Sequence, residues 1–469
     1  MKNKNSLLSL VFCLSTLSAA VLNSCGVYKK YQSQTDVPDH IIGQAAEDSL
    51  PSLSGQSIAE ISWRDFFVDP YLQALIDTAL NRNTDLESAR IAIQQAQASL
   101  KAAKLAYLPS ISLAPNGSVS GTLSSKGNLS PASWSYSVPL QLDWNIGISG
   151  SVTVNKRKAQ AVLEQAEASK QATQANLISI VAQYYFQLLM LDKELEILIQ
   201  TDSLWDVSLS TERALWENGQ AYSTAVNQME SSNLGVKMQI IDTKRYIRSV
   251  ENELCKLLLI TPQTIDRSKW GSYNLPQRWT LGVPAELLLK RPDVKAADKA
   301  LAEAFYNTAA AKAAFFPSFS LTGILGWTNN GGIIADPGAL LMQAAASLIQ
   351  PIFQQGKLRA NLKIAKLNQQ DKLAAYVQTV IDAGNQVNEC LADCYQAKDK
   401  YDLYRRQVQV LQDAYIGTHE LMNNGKASYL EVLTAQESLL SAQLNEAQNL
   451  YDGATAIIAL YIALGGAIE

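Results

Sequence analysis

From Trp134 onward the chain alternates between apolar and polar positions. Trp134, Tyr136, Val138, Leu140, Leu142, Trp144, Ile146 and Ile148 occupy the even positions. The odd positions hold Ser133, Ser135, Ser137, Gln141, Asp143, Asn145 and Ser149, together with Pro139 and Gly147. Successive side chains of a strand point to opposite faces, so this period of two predicts one long strand with an apolar face and a wet face. An ordinary globular strand runs about five or six residues. The run here is about fifteen, enough to cross a bilayer at a tilt. A sandwich strand could alternate in the same way, and the length is what favours a transmembrane barrel. On that reading Leu140 and Leu142 face lipid, and Gln141, Asp143 and Asn145 face a lumen. A second strand pair is weaker: Phe319, Leu321, Leu325 and Trp327 alternate, whereas the return strand around Leu340 to Ile352 is Ala-rich. About four strands per chain cannot close a barrel, and open sheet edges are not tolerated in lipid. Closure therefore predicts a cyclic homo-oligomer.

A different period governs the rest. Leu177, Val181, Tyr184, Leu188, Leu191, Leu195, Leu198, Trp205 and Leu209 recur in steps of four and three, with Asp202 filling one slot. Leu433, Leu440, Leu444, Ala447, Tyr451, Ala454, Ile458 and Tyr461 do the same, with Glu437 as the exception. This is coiled-coil spacing. A helix from Lys156 to Trp216 would run about 90 Å at 1.5 Å per residue.

The chain is also written twice. Asp85 to Leu113 aligns without a gap on Asp293 to Leu321, matching Asp85/Asp293, Ala89/Ala297, Lys104/Lys312, Pro109/Pro317, Ser110/Ser318, Ser112/Ser320 and Leu113/Leu321. At a slightly shorter offset, Asn218-Gly219-Gln220-Ala221 falls on Asn424-Gly425-Lys426-Ala427, and Val226 on Val432. Each copy predicts the same order: an Ala-rich helix (about Pro70 to Tyr107, then about Asp293 to Phe315), a stop at proline, a strand pair, a very long helix, a Gly-marked turn and a returning helix.

The N-terminus carries an address. Lys2 and Lys4 precede an uncharged apolar stretch, Leu7 to Leu22, too short for a comfortable membrane span and placed where a signal peptide sits. It ends in Leu22-Asn23-Ser24-Cys25-Gly26, which resembles a bacterial lipobox and makes Cys25 the expected lipid-modified terminus. One acyl anchor holds a protein weakly, so further membrane contact is expected. Beyond the leader no stretch makes a convincing membrane helix. The apolar tail from Ala454 to Ile468 reads as a packed helix, so any membrane crossing falls to strands.

Composition narrows the chemistry. The formal net charge of −4 gives no basic face for nucleic acid. Cys255, Cys390 and Cys394 make no disulfide framework in an exported chain and read as packing residues. His40 and His419 are the only histidines. No nucleophile elbow, metal-spaced cluster or phosphate loop is visible, so neither an enzyme, a cofactor nor a metal site is expected. Methionines are few and unclustered, so nothing here supports copper or silver handling. Asn329-Asn330-Gly331-Gly332 with Asp336-Pro337-Gly338 is turn chemistry, read as an external loop, and Ser120 to Ser133 as its counterpart.

Four stretches resemble the outer-membrane efflux factor family of TolC-like channels, in particular the lipoprotein branch that partners inner-membrane transporters of the resistance-nodulation-division type. They are Trp63-Arg64-Asp65-Phe66-Phe67 through Asp69-Pro70-Tyr71-Leu72; Leu287 through Val294 with its Arg291-Pro292-Asp293 core; Ala314 through Ser318; and Gly425 through Leu433. The resemblance implies a mainly α fold with a membrane β-barrel: a homotrimer with a twelve-stranded barrel continued by a long α-helical coiled-coil barrel. It implies a periplasmic adaptor protein and an inner-membrane transporter as partners, and an outer membrane as the site of action. The organisation then expected is a signal peptide at 1–24, a lipidated N-terminal segment at 25–69, a first repeat at 70–260, an equatorial linker at 261–284 and a second repeat at 285–469. The periplasmic tip would lie at Gly219 to Gln228 and Gly425 to Thr434. Family members often place acids in the second turn; here that position is Glu431, and the next is Thr434 rather than an acid. Glu431 reads either as a gate residue or as a helix-start carboxylate favoured by the dipole. The function implied is a passive exit duct for small molecules. A type I protein-secretion channel would share the architecture, and a lipid-anchored scaffold without a pore would share the helices.

Overall fold

The computed structural model of the 469-residue chain describes residues 29–33, 41, 61–121, 133–270, 285–328 and 339–466. The signal peptide, Cys25 and the two loop tips fall outside the described residues.

The first copy opens with α1 (Trp63–Phe66), α2 (Pro70–Arg82) and α3 (Thr84–Leu105), followed by β1 (Ser110–Leu113), β2 (Asn116–Ser120) and β3 (Ser133–Ile146). It then continues through α4 (Ser151–Glu217) and α5 (Ser223–Leu257). A 3-10 turn at Ala285–Lys290 leads into the second copy: α6 (Pro292–Ala313), β4 (Ser318–Thr328), β5 (Ala339–Ile349), α7 (Lys357–Asn423) and α8 (Tyr429–Ala463). The long helices α4 and α7 have 67 residues each, and the return helices α5 and α8 have 35 each. Equal lengths in the same order are what a duplicated design produces. A 67-residue helix runs about 100 Å, and α4 holds no Gly or Pro to break it.

The expected first helix is two helices. Asn83 adopts an extended conformation (ψ 133°) between α2 and α3. Its Oδ1 accepts from the N–H groups of Asp85 (2.9 Å) and Leu86 (3.2 Å), and its Nδ2 donates to the Leu257 carbonyl at 3.2 Å. A side chain that caps the next helix start and ties it to the end of α5 outweighs helix continuity there.

The sheet runs β1/β2–β3–β4–β5, every pair antiparallel. β1 and β2 share one register against β3: Leu113 lies opposite Leu140 and Asn116 opposite Ser137. Pro115 and Pro139 sit in this gap, and neither has an N–H for the ladder. Ala114 still donates to the Pro139 carbonyl at 3.1 Å. β1 and β2 are thus one strand interrupted by proline, which gives the expected four strands, with β1/β2 and β5 as the edges. Gly326 lies across from Pro139, where a Cβ would run into the Val138 carbonyl and come within 2.6 Å of the Pro139 Cα. A proline in an inner strand is accommodated here by an opposing residue with no side chain.

Two compact units divide the chain: residues 1–34, 92–167 and 296–377, and residues 35–91, 168–295 and 378–469. The first holds the sheet and a small core of Val154, Ala161, Ala302, Tyr306, Ala309 and Ala313 between α4 and α6. Its N-terminal arm is clamped by the buried Asp298: Tyr31 Oη donates to one carboxylate oxygen and Ser33 Oγ to the other, both at 2.8 Å. The Tyr31 ring packs 5.7 Å from Phe305.

In the second unit the heptad positions are the core. Leu177, Val181, Leu188, Leu191, Leu198, Trp205 and Leu209 are buried, as are Leu433, Leu440, Ala447, Ala454, Ile458 and Tyr461. Both polar exceptions link neighbouring helices: Asp202 accepts from Lys237 Nζ at 2.7 Å and Glu437 from Ser232 Oγ at 3.0 Å. The Trp-Arg-Asp-Phe-Phe stretch buries Phe66 flat against Tyr461, centroids 4.1 Å apart, with Phe67 edge-on to both rings. Rings so buried contribute roughly 1.5–3 kcal/mol each. Arg291 of the Arg-Pro-Asp block is buried; it donates to Asp293, to Gln386 Oε1 and to the Ala463 carbonyl at the end of α8 (2.7 Å). Arg267 grips Asp192 with two hydrogen bonds (2.6 and 2.8 Å) and Glu251 with a third (2.8 Å). The described part of the expected linker is therefore fastened to α4 and α5.

Candidate functional site

The register sorts side chains onto the two faces of the sheet, because directly opposed residues share a side. Leu140 faces Leu113 and Leu325, and Leu325 faces Met342. Leu142 faces Ile111 and Gly323, Val138 faces Trp327, and Trp327 faces Leu340. Ile146 faces Phe319, which faces Leu348. That face is apolar from one edge strand to the other, and large side chains on it are open: Leu140, Leu325, Trp327, Leu340 and Met342 are all exposed. Contiguous apolar exposure on this scale marks a surface that meets something apolar.

The opposite face is mostly small and polar, with Ile324 and Ile349 as apolar exceptions. Gln141 lies between Ser112 and Ile324, Asp143 between Ser110 and Thr322, and Asn145 beside Ser320, which faces Ser347. Gln141 and Asp143 are half-buried and Asn145 is exposed. The structure thus brings the three sequence-picked polar residues onto one face with polar partners from three other strands. The alternation of β5 is hidden in the sequence because Ala344 and Ala346 fill its apolar face.

At their far ends α4 and α7 stop in the same way. Gly219 (φ 74°) donates to the Trp216 carbonyl and Gln220 to Leu215. Gly425 (φ 68°) donates to Met422 and Lys426 to Leu421. These are two Schellman stops, each requiring a left-handed residue that glycine supplies without strain. The restarts differ. Ser428 precedes α8, and its backbone N–H and Oγ both donate to Glu431 Oε2, at 2.5 and 2.9 Å, the carboxylate half of a capping box. Those two bonds hold the Glu431 carboxyl below its ordinary value. Tyr222, the equivalent of Ser428, offers α5 no side-chain cap. Gln228 is exposed on the second turn of α5, and Thr434 donates its hydroxyl to the Leu430 carbonyl of its own helix at 2.8 Å.

Sequence reasoning missed several buried polar atoms in these helices. Among the described residues, Trp205 Nε1, Asn233 Oδ1, Tyr429 Oη and Gln436 Oε1 are buried without a hydrogen-bond partner. Tyr429 packs against Leu209, Val226 and Met229. Its hydroxyl is held far above its ordinary value by burial first and then by the charges of Glu212 and Glu437. Glu212 is itself buried, which pushes its carboxyl up. The signal was present in the heptads: Asn233 falls in the buried series Val226, Met229, Val236 and Ile240 of α5.

Among the described residues no group of three His, Cys, Asp or Glu side chains could hold a metal ion. Burial and neighbouring carboxylates push the Cys390 thiol up to about 11. Burial, then Cys390 and Asp393, push Cys394 up to about 12. Both therefore stay protonated at neutral pH and are poor ligands.

The family described as outer membrane efflux protein matches the chain over residues 75–258 and again over 283–466. The cation efflux system protein CusC of Escherichia coli (strain K12) is 29% identical over 465 residues, 97% of this chain and 98% of its own. The toluene efflux pump outer membrane protein TtgC of Pseudomonas putida is 28% identical over 480 residues, 98% of this chain and 95% of its own. A crystal structure of CusC superposes with a TM-score of 0.81 at 27% identity, covering 92% of this chain and 99% of that one.

Proposed function

The chain belongs to the outer membrane efflux protein family and is an efflux channel component of the outer membrane, and from that premise we propose that three copies close one twelve-stranded barrel that is the exit duct of a tripartite pump. The observation that carries this is the register-sorted sheet. Its apolar face suits lipid, its polar face suits water, and its two edges need partners. Three four-stranded sheets joined edge to edge leave no edge open, with Gln141, Asp143 and Asn145 on the wet inside. The helices α4, α5, α7 and α8 then continue the duct into the periplasm. Cys25 carries the lipid anchor, the segment 25–69 belongs to the equatorial region of the tube, and 261–284 links the repeats 70–260 and 285–469.

The hairpins at Gly219 and Gly425 form the periplasmic tip, where an adaptor protein and, through it, a transporter of the resistance-nodulation-division type engage. Glu431 has two tasks in this reading. It caps α8, and the three copies of its carboxylate approach each other at the closed tip, where they bind cations or protons. The cargo is small molecules; CusC and TtgC, with one framework, carry cations and toluene in their names. No step is chemical, and the duct is passive.

The test places single cysteines at Leu140, Leu142, Gln141 and Asp143, in a background where Cys255, Cys390 and Cys394 are serine. Labelling in intact outer membranes with a water-soluble thiol reagent should modify only the Gln141 and Asp143 variants. Equal labelling at all four positions would refute a membrane-spanning sheet.

A further inference from the structure

A cleft of ≈ 430 Å³ lies beside the N-terminal arm in the first unit. Lys29 and Lys30 of the arm and Lys366 of α7 supply three cations to its lining, and Leu301, Phe305 and Leu373 supply apolar surface. Among the described residues no carboxylate lines it. The nearest acids of α6 are engaged: Asp298 by Tyr31, Ser33 and Lys299, and Glu303 by Lys158 at 3.8 Å. In a chain of net charge −4, a lining that combines three lysines with apolar side chains and no carboxylate is a local exception among the described residues. The arm that carries two of them is not loose, because Asp298 accepts from it twice and Tyr306 Oη accepts from the Tyr31 N–H at 3.3 Å.

We propose that this cleft binds the phosphate head of an anionic phospholipid, with Lys29, Lys30 and Lys366 around the phosphate and Phe305, Leu301 and Leu373 under the start of the acyl chains. The chain lengths on either side of the cleft say why a lipid is the occupant. Lys366 stands about 14 Å along α7 from Lys357, at 1.5 Å per residue, and α7 follows the sheet strand β5 after the connection 350–356. Residue 25 is separated from Lys29 by a stretch that spans at most about 14 Å when extended. The arm is thus just long enough to bring an acyl group on Cys25 level with the start of α7, where a bilayer around the sheet ends. A cleft one arm's length from an acyl anchor, lined by both lysines and apolar side chains, fits a headgroup of the same leaflet. This rests on the lipid-anchor reading of Cys25 for its occupant but not for its residues. It supplies the further membrane contact that one acyl chain needs to hold a protein stably.

The test uses the full mature protein, extracted from outer membranes into micelles containing either phosphatidylglycerol or phosphatidylcholine, with retained lipid counted by native mass spectrometry. Near an anionic surface one lysine changes binding by about fivefold, so phosphatidylglycerol should be retained at least about tenfold over phosphatidylcholine. K29Q/K30Q/K366Q should bring the two lipids to parity with assembly unchanged, and Phe305→Ala should weaken retention of both. An undiminished preference in the triple variant overturns the proposal. Complete displacement by millimolar inorganic phosphate, with no effect of Phe305→Ala, overturns the lipid assignment in favour of a simple anion site. Cys25→Ser separates the two readings. Preference kept without acylation leaves the cleft standing by itself, and preference lost with the acyl group means that the anchor alone held the lipid and sinks the cleft. Should wild-type Cys25 prove unmodified while the preference holds, the anchor reading fails and the cleft remains.

Discussion

Replacing Arg267 by methionine should open the segment that follows α5 without unfolding the protein. The Arg267 side chain is 11% exposed and serves two carboxylates of unequal burial: the Asp192 side chain is 39% exposed and that of Glu251 4%. Asp192 can return to water once the arginine is gone. Glu251 cannot, and it also accepts the Ile265 N–H at 3.3 Å. Removing one partner of a buried pair costs about 3–5 kcal/mol. Because only one of the two anions is stranded, the lower figure applies, about 3 kcal/mol. At about 1.36 kcal/mol per factor of ten this is about 150-fold in the local opening constant. The readout is amide hydrogen exchange over residues 261–270, where the Ile265 and Ser268 amides donate to Glu251 and to Tyr185 Oη. In Arg267→Met their protection should fall by about that factor. Adding Glu251→Gln removes the stranded charge and keeps an oxygen for Ile265, so most of the protection should return. Asp192→Asn alone should cost under about 1 kcal/mol, as for an exposed pair. Loss of protection that Glu251→Gln fails to restore would refute the argument, because the damage would then come from lost packing of the arginine stem and not from an unpaired carboxylate.

Burial raises the Glu212 carboxyl in the folded protein. The folded state therefore binds that proton more tightly than the unfolded chain, and stability should fall as pH rises from the ordinary carboxylate value through the folded one. Melting of wild type and Glu212→Gln followed upward from about pH 4 should show a decline that the variant lacks; parallel curves would remove Glu212 as its source. Gly219→Ala and Gly425→Ala each put a side chain at positive φ and should each cost about 1 kcal/mol, read as faster proteolysis at the hairpins; wild-type proteolysis rates would contradict the left-handed assignment. Glu431→Gln keeps an oxygen for the Ser428 N–H and removes the charge, so in planar bilayers it should raise resting conductance and abolish divalent-cation block at normal protein level. Unchanged block would leave Glu431 a helix cap and nothing more.

Sequence and structure agree where one period dominates. The alternation from Ser133 and the heptads from Leu177 each follow from a single geometric rule, and the sheet and long helices carry them. Elements set by two partners at once were not legible. Asn81-Arg82-Asn83-Thr84 contains no Gly or Pro, and the break at Asn83 needs the carbonyl of Leu257, far along the chain. The proline interruption needs Pro115 and Pro139 in register. At the tips the glycines were readable because positive φ selects them. Glu431 was ambiguous because a cap and a charge at a mouth ask for the same residue. The buried unpaired polar atoms were missed because Trp205, Asn233 and Gln436 lie on three helices; the heptad position of Asn233 shows its burial but not that its oxygen lacks a partner.

The two unpaired edges of the sheet bear on how such a protein is made. Its helices satisfy their own backbone groups and can form on a single chain. The interrupted strand over 110–120 and the strand Ala339–Ile349 cannot, since each leaves a row of amides and carbonyls with no partner. If three chains close one barrel as proposed above, a lone sheet that entered the bilayer would bury those groups unsatisfied, and insertion would not be a first-order event for one chain. Its rate should climb steeply with the amount of exported protein. Under weak expression chains should accumulate with complete helices and an uninserted sheet, a population that periplasmic proteases would cut within the strands while sparing α4 and α7.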